Sequence, residues 1–322
     1  MNALELVPPV TAARASTGGS RSRHPLTAFV LGGGASLGAM QVGMLQALYE
    51  RDVEADLFVG TSIGALNAAF VASRPQTPET VDELARAWRG LRREDVFPVS
   101  VHTLVGGLAG QRDHLVSDRA LRRKVRRYIE FDDLSEAPVP MHAVAFDVIE
   151  GCEVLLSEGP ALDVIAAAAA LPGVFPPVPL AGRRLIDGSV VNNTPISHAV
   201  TLGAERIYVL PAQERWHPLR TAPRSALDSA MQALGALVDG RLRADLALYA
   251  GEVELIVLPA PNSLEVQPTD FSHSEILIGE AALASRAVLD AVAPVPPRLR
   301  LVGGERRGRG EGAAARSGLA IA

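Results

Sequence analysis

Three short stretches of this chain hold residue types that can carry out acyl transfer. Near residue 60 the chain reads Gly60-Thr61-Ser62-Ile63-Gly64, which fits G-x-S-x-G. That pattern lifts a serine hydroxyl above a sheet, on a sharp turn between a strand and a helix. Gly60 and Gly64 let the backbone turn without Cβ clashes. The helix start behind Ser62 offers N–H groups to developing negative charge. The same serine could simply be a helix N-cap. Upstream, Gly32-Gly33-Gly34 follows an apolar run from Thr27 to Leu31. Three glycines between a strand and a helix leave their N–H groups approachable. They could bind a dinucleotide pyrophosphate or form an oxyanion hole. The dinucleotide fingerprint needs a third glycine where Leu37 stands, and Gly38 comes one residue late. It also needs an acid at the end of the next strand, where Val59-Gly60-Thr61-Ser62 stands instead. The oxyanion hole is the better fit.

An ordinary serine hydroxyl needs a base. The histidines are His24, His102, His114, His142, His198, His217 and His273, and none lies in a glycine turn. His273, in Asp270-Phe271-Ser272-His273, suits the Ser…Asp…His order of an α/β-hydrolase triad. A carboxylate can also serve where its surroundings exclude water and raise its proton affinity. Asp187 is that candidate, because it follows Leu185-Ile186 and precedes Gly188 at an expected strand end. Asp-Gly is also an ordinary turn dipeptide. The single lysine, Lys124, lies within Arg122 to Arg127 and reads as solvated charge. It belongs to no Gly-Lys-Ser/Thr phosphate loop.

The elements around these residues alternate. Thr27 to Leu31 reads as a strand, and Leu37, Met40, Met44, Leu45 and Leu48 recur at helical spacing after the glycines. Asp56 to Val59 reads as a strand, followed by an Ala-rich helix from Ile63. Further helices are expected over 80–91, 118–129, 162–171, 226–249 and 275–291, and further strands over 139–146, 153–156, 184–186, 207–210 and 253–258. Strands alternating with helices predict a largely parallel sheet covered on both faces, within one domain over residues 25–293. Residues 1–24 read as a disordered polar arm, and residues 294–322 as a disordered Arg/Gly-rich tail.

The chain has 322 residues, 48% of them hydrophobic, and a net charge of -5. A mildly acidic chain does not carry the usual footprint of a nucleic-acid binder. Cys152 is the only cysteine, which excludes an internal disulfide and a Cys-cluster metal site. The first 24 residues show no secretory pattern, and the longest uncharged stretch, Val164 to Gly182, contains four prolines. The expectation is a cytoplasmic protein, in contact with membranes at most from outside. Val96 to Leu108 could form a mobile apolar wall or lid for an acyl chain, or could pack into the core. The basic helix around Arg122 to Arg127 could rest on an anionic membrane, or could be a solvated face.

Taken in order, "LGGGASLGAMQVGML", "GTSIGALNAAF" and "DGSVVNNTPI" resemble the three blocks of the patatin-like phospholipase family. "AAAALPGVFPPV", residues 167–178, resembles the stretch before that family's Asp-Gly. The resemblance spans about residues 27–200. It implies a three-layer α/β sandwich with a central, mostly parallel sheet. It also implies a Ser–Asp dyad that uses no histidine. Carried over by position, Ser62 is the nucleophile and Asp187 the general base. Gly32, Gly33 and Gly34 supply the oxyanion-hole amides, while Gly38, Gly60, Gly64 and Gly188 support the motifs. The implied substrate is a lipid acyl ester of phospholipid or lysophospholipid type. Neither half-reaction needs a metal or a cofactor. Ala35 stands where the family's fourth glycine is usual, Leu37 where a basic residue is usual, and Ser189 where Gly or Ala is common.

Overall fold

A computed structural model describes residues 24–98, 103, 105–106, 109–212, 226–261, 263 and 266–292, with backbone alone for 226–232 and 234. The arm expected over 1–24 (except His24) and the tail expected over 294–322 lie outside the described residues, as do His102, His217 and much of the expected lid.

The strands are β1 (Thr27–Leu31), β2 (Leu57–Thr61), β3 (Met141–Asp147), β4 (Cys152–Leu156), β5 (Val178–Leu180), β6 (Arg183–Asp187), β7 (Arg206–Leu210) and β8 (Glu254–Val257). These eight strands of the described residues form one sheet. β8, β7, β1, β2 and β3 lie side by side in parallel, while β4 and β6 run antiparallel to β3. β1 alternates its faces: Phe29 and Leu31 pack into one apolar cluster, Ala28 and Val30 into the other. Both faces are therefore covered, giving three layers.

The larger face carries α1 (Ala39–Tyr49), α2 (Ile63–Ala72), α3 (Pro78–Arg89), the short α4 (Arg93–Val96), α5 (Arg119–Tyr128), α6 (Ala161–Ala168) and α9 (Ser274–Ala291). The other carries α7 (Ile196–Thr201) and α8 (Ala226–Tyr249). α3 starts as its sequence dictates, with Pro78 at its first helical position behind an extended Thr77. α6 ends at Ala168, earlier than the Leu171 expected from composition. β5 is not visible as a strand in the sequence because Pro179 interrupts it. It survives because it pairs only with β6, at the edge of the sheet. No helix among the described residues is long and apolar enough to cross a membrane.

Candidate active site

β2 ends at Thr61 and α2 begins at Ile63, so Ser62 forms the whole turn. Its φ is +56° and ψ −127°, a conformation that costs a non-glycine residue about 1–3 kcal/mol. The surroundings hold it there. The Ser62 N–H donates to the Ala168 carbonyl at 3.1 Å, and the Ser62 carbonyl accepts from the Ala65 N–H at 3.0 Å. The flanking glycines are required by crowding. A Cβ on Gly60 would stand 2.6 Å from the Ala65 nitrogen, and one on Gly64 would stand 2.2 Å from the Leu31 carbonyl oxygen. Gly64→Ala is therefore expected to destabilise the fold by about 3 kcal/mol or more, measurable as a fall in the urea midpoint. An unchanged midpoint would mean that α2 does not seat on β1 as described.

Strand register explains why Asp187 arrives beside Ser62. Ala143 and Val144 of β3 pair with β2 on one edge and β4 on the other. Ala145 to Asp147 pair with β4 and with β6. A strand has only two edges, so β2 and β6 share one edge of β3, end to end. β2 runs parallel to β3 and β6 antiparallel, so their C-terminal ends meet: Thr61 opposite Val144, Asp187 opposite Ala145. The Ala-rich stretch before Pro172 fastens both ends. Ala168 accepts from the Ser62 N–H, and Ala170 accepts from the Asp187 N–H at 2.9 Å.

Asp187 is fully buried and Ser62 nearly so. Burial pushes the Asp187 carboxyl up to about 6, against the partial opposition of the Ser62 hydroxyl and the Ser189 N–H, which favour the charged form. Oδ1 accepts from the Ser189 N–H at 2.8 Å. Oδ2 is buried and accepts no hydrogen bond here, although the Ser62 hydroxyl is near enough to the carboxyl to favour its charged form through one. Such bonds often tighten only when substrate binds. Gly188 continues the close packing, since a Cβ there would lie 2.6 Å from the Val144 carbonyl oxygen.

The glycine loop lies against Ser62, with the position of a Cβ on Gly33 only 2.9 Å from the Ser62 Cβ. Its amides correct part of the expectation. The Gly32 N–H already donates to Leu210, and the Gly33 N–H to Asn193, each at 3.1 Å. Neither is available for an oxyanion. Among the described residues the Gly34 and Ala35 N–H groups have no partner, and neither does that of Ile63, the residue after the serine. The available set is thus Gly34, Ala35 and Ile63. Ala35 adopts φ +50°, which explains why glycine would be the easier residue there. Leu37 is buried in the core, so no cation stands at that position. Gly38 packs against Ile63. The same bonds leave no row of free glycine amides for a pyrophosphate.

Two polar groups with no signal in the sequence hold the loop. The Asn193 side chain donates to the Gly33 carbonyl at 3.1 Å while the Asn193 backbone carbonyl accepts the Gly33 N–H, so the two peptides that flank Gly33 are both held by one residue. Gln41 donates to the Gly32 and Leu210 carbonyls and accepts from Asn67, which in turn accepts from the Trp88 indole N–H at 2.9 Å. Thr61 donates to the Asn192 carbonyl.

An apolar cavity opens at Ser62. Leu66, Phe70, Trp88, Phe97, Phe175 and Phe271 are among its walls. Phe97 stacks on Phe175 at 5.5 Å, which places the first part of the expected lid in the cavity wall. Lys124 sits at its edge, half-buried and paired with Asp95 at 3.2 Å. It is not the fully solvated charge expected from sequence.

The described histidines stand elsewhere. His273 shares hydrogen bonds with Asp270 and Ser272 at the start of α9, His198 with Glu153, His142 with Ser157, His114 with Asp113 and His24 with Pro25. None is bonded to Ser62.

Comparison with known proteins follows the same boundaries. The family model described as "Patatin-like phospholipase" matches residues 29–200. Human patatin-like phospholipase domain-containing protein 6 is 28% identical over 185 residues, which are 57% of this chain and 13% of that protein. An NTE family protein of Mycobacterium tuberculosis is 28% identical over 185 residues, which are 57% of this chain and 48% of that protein. The chain therefore spans less than half the length of either relative. Among solved structures, VipD from Legionella pneumophila superposes with a TM-score of 0.42 at 14% identity, covering 84% of this chain and 67% of that one. Human GIVD cytosolic phospholipase A2 gives 0.40 at 13% identity, covering 82% and 57%. The stretch matched by the family model takes in the glycine loop, the Ser62 turn and the Asp187 strand end, and it is more than half of the sequence. This chain belongs to the patatin-like phospholipase family.

Proposed function

We propose that the protein hydrolyses acyl esters of lipids through an acyl-Ser62 intermediate. One observation carries this reading: a serine held on a strained turn meets a fully buried carboxylate at the mouth of an apolar cavity. A carboxyl pushed up to about 6 is ionised at neutral pH yet basic enough to take a proton.

In the first half-reaction Asp187 takes the proton from the Ser62 hydroxyl as Oγ bonds to the ester carbonyl carbon. The carbonyl oxygen becomes an oxyanion, and the amides of Gly34, Ala35 and Ile63 stabilise it. When the carbonyl re-forms, the ester C–O bond breaks and the leaving alcohol takes the proton from Asp187. In the second half-reaction water attacks the acyl-enzyme and gives its proton to Asp187, which returns it to Ser62 as the acid leaves. The cavity takes the acyl chain. The family and the apolar walls support a lipid of phospholipid or lysophospholipid type.

Labelling tests the reading directly. An alkyl fluorophosphonate is expected to form one adduct, located by mass spectrometry on the peptide containing Ser62. Hydrolysis of a short acyl ester should stop as labelling completes. Full labelling with undiminished hydrolysis, or an adduct on another serine, would overturn the assignment.

A further inference from the structure

The wall of the acyl cavity has a second side. α5 turns Leu121, Lys124 and Val125 toward the cavity, while Arg119, Arg123, Arg126 and Arg127 are exposed. Phe97, Leu121, Lys124 and Phe175 line the cavity, and their chain neighbours Pro98, Ala120, Arg123 and Pro176 line a separate cleft. The two hollows are therefore back to back across the same elements. Arg112, Arg119 and Arg123 converge on this cleft.

These arginines differ from the neighbour that serves the fold. Arg122 is held by Asp118 at 2.5 Å and Asp163 at 2.6 Å. Among the described residues Arg112, Arg119, Arg123 and Arg126 have no carboxylate partner, and Arg127 meets only the Tyr128 ring. A group of unpaired cations on a chain of net charge -5 gives the molecule a polar axis that orients it toward an anionic surface. The aliphatic neighbour is also unusual. Val105 is 59% exposed, and the adjoining Gly106 packs against the Arg112 side chain, 3.1 Å from the position of its Cβ.

We propose that this face docks on a bilayer containing anionic phospholipid. The lipid phosphates seat against Arg112, Arg119, Arg123 and Arg126, and Val105 enters the head-group layer. Cations beside an exposed aliphatic side chain suit a bilayer interface, which offers both anionic charge and an apolar layer. A nucleic acid would call for several rings or amides to meet its bases, and His114 is the single such side chain among the residues lining the cleft. Docking would bring the wall of the acyl cavity to the surface where lipid substrates lie. That consequence rests on the acyl-hydrolase reading; the docking itself needs no catalysis.

Vesicle sedimentation of the full chain tests the surface. Ser62→Ala protein is expected to bind vesicles of phosphatidylcholine mixed with phosphatidylglycerol, to ignore pure phosphatidylcholine, and to dissociate as salt rises. An Arg112→Gln/Arg119→Gln/Arg123→Gln protein should bind the mixed vesicles about a hundredfold more weakly, at roughly fivefold per charge. The same triple substitution in the Ser62 protein should leave hydrolysis of a short soluble ester unchanged, which also reports correct folding. Val105→Asp should weaken vesicle binding further. Equal binding to both vesicle types, full binding by the triple variant, or displacement from mixed vesicles by duplex DNA at equal phosphate would overturn the proposal. Vesicle docking without ester hydrolysis would instead leave this surface standing and remove the proposed activity.

Discussion

Replacing Asp187 by Asn is expected to lower ester hydrolysis by about 10²–10⁴-fold, the usual contribution of a general base, while making the protein harder to unfold at pH 8. Asn fits the same space, and its side-chain oxygen can still accept from the Ser189 N–H that now donates to Oδ1. The amide cannot take a proton from Ser62. The stability half follows from the direction of the Asp187 shift. Burial raises the folded-state value from 3.8 to about 6. A group raised on folding contributes stability that is complete below its unfolded value and is lost as pH rises through the folded value. At pH 8 the native protein therefore carries a buried, ionised carboxylate at a cost of roughly 3 kcal/mol, a cost that the neutral amide of the variant avoids. Urea unfolding at pH 8 should show the variant ahead, with the gap narrowing toward pH 4. The same titration sets the native rate: kcat/KM should rise with pH through about 6 and then level off. A variant less stable than native at pH 8, or a rate governed by a group near 4, would contradict the role assigned to Asp187.

The opposition between activity and stability at Asp187 illustrates what the sequence could and could not convey. Order along the chain was legible. Periodicity located the strand before Gly32, the strand before Ser62 and the helices after each, because an apolar run ending at glycines is a local signal. Proximity was not legible in the same way. Ser62 and Asp187 meet because β2 and β6 abut on one edge of β3, and that register depends on pairings between distant residues. The family resemblance placed Asp187 beside Ser62 where periodicity could not.

The amides show a second limit. A run of three glycines announces exposed backbone but not which N–H groups remain unbonded. That depends on Leu210 and Asn193, which lie 178 and 160 residues beyond their partners Gly32 and Gly33. Gln41 and Asn67 are invisible for another reason. Each sits in an apolar helix pattern as an isolated amide, and only in the fold do they join Gly32, Gly38 and Trp88 in one buried chain of hydrogen bonds. Buried amides without partners would cost the fold, so such a chain must be complete. Composition also obscured β5, whose Pro179 argues against any strand until its edge position is known.

Asn193→Ala should reduce kcat by on the order of 10²-fold and leave KM within a small factor, because in the proposed mechanism the residue orients an oxyanion donor, and it is not among the residues that line the apolar cavity. The clamp on Gly33 is what fails. Losing the side-chain bond to the Gly33 carbonyl frees that peptide to rotate, and the Gly34 N–H rotates with it. Gly33→Ala should damage the same step from the other side. Its Cβ would stand 2.5 Å from the Asn193 side-chain oxygen and 2.9 Å from the Ser62 Cβ, so the loop must move away from the serine. The two substitutions share one contact, which makes their combination informative. Shortening Asn193 removes the nearer collision, so the double variant should lose less activity than the product of the single losses. Kinetics of the four proteins, native included, would measure that coupling. Strictly multiplicative losses would mean that Asn193 and Gly33 act independently, and that the amide of Gly34 is held by something other than the clamp.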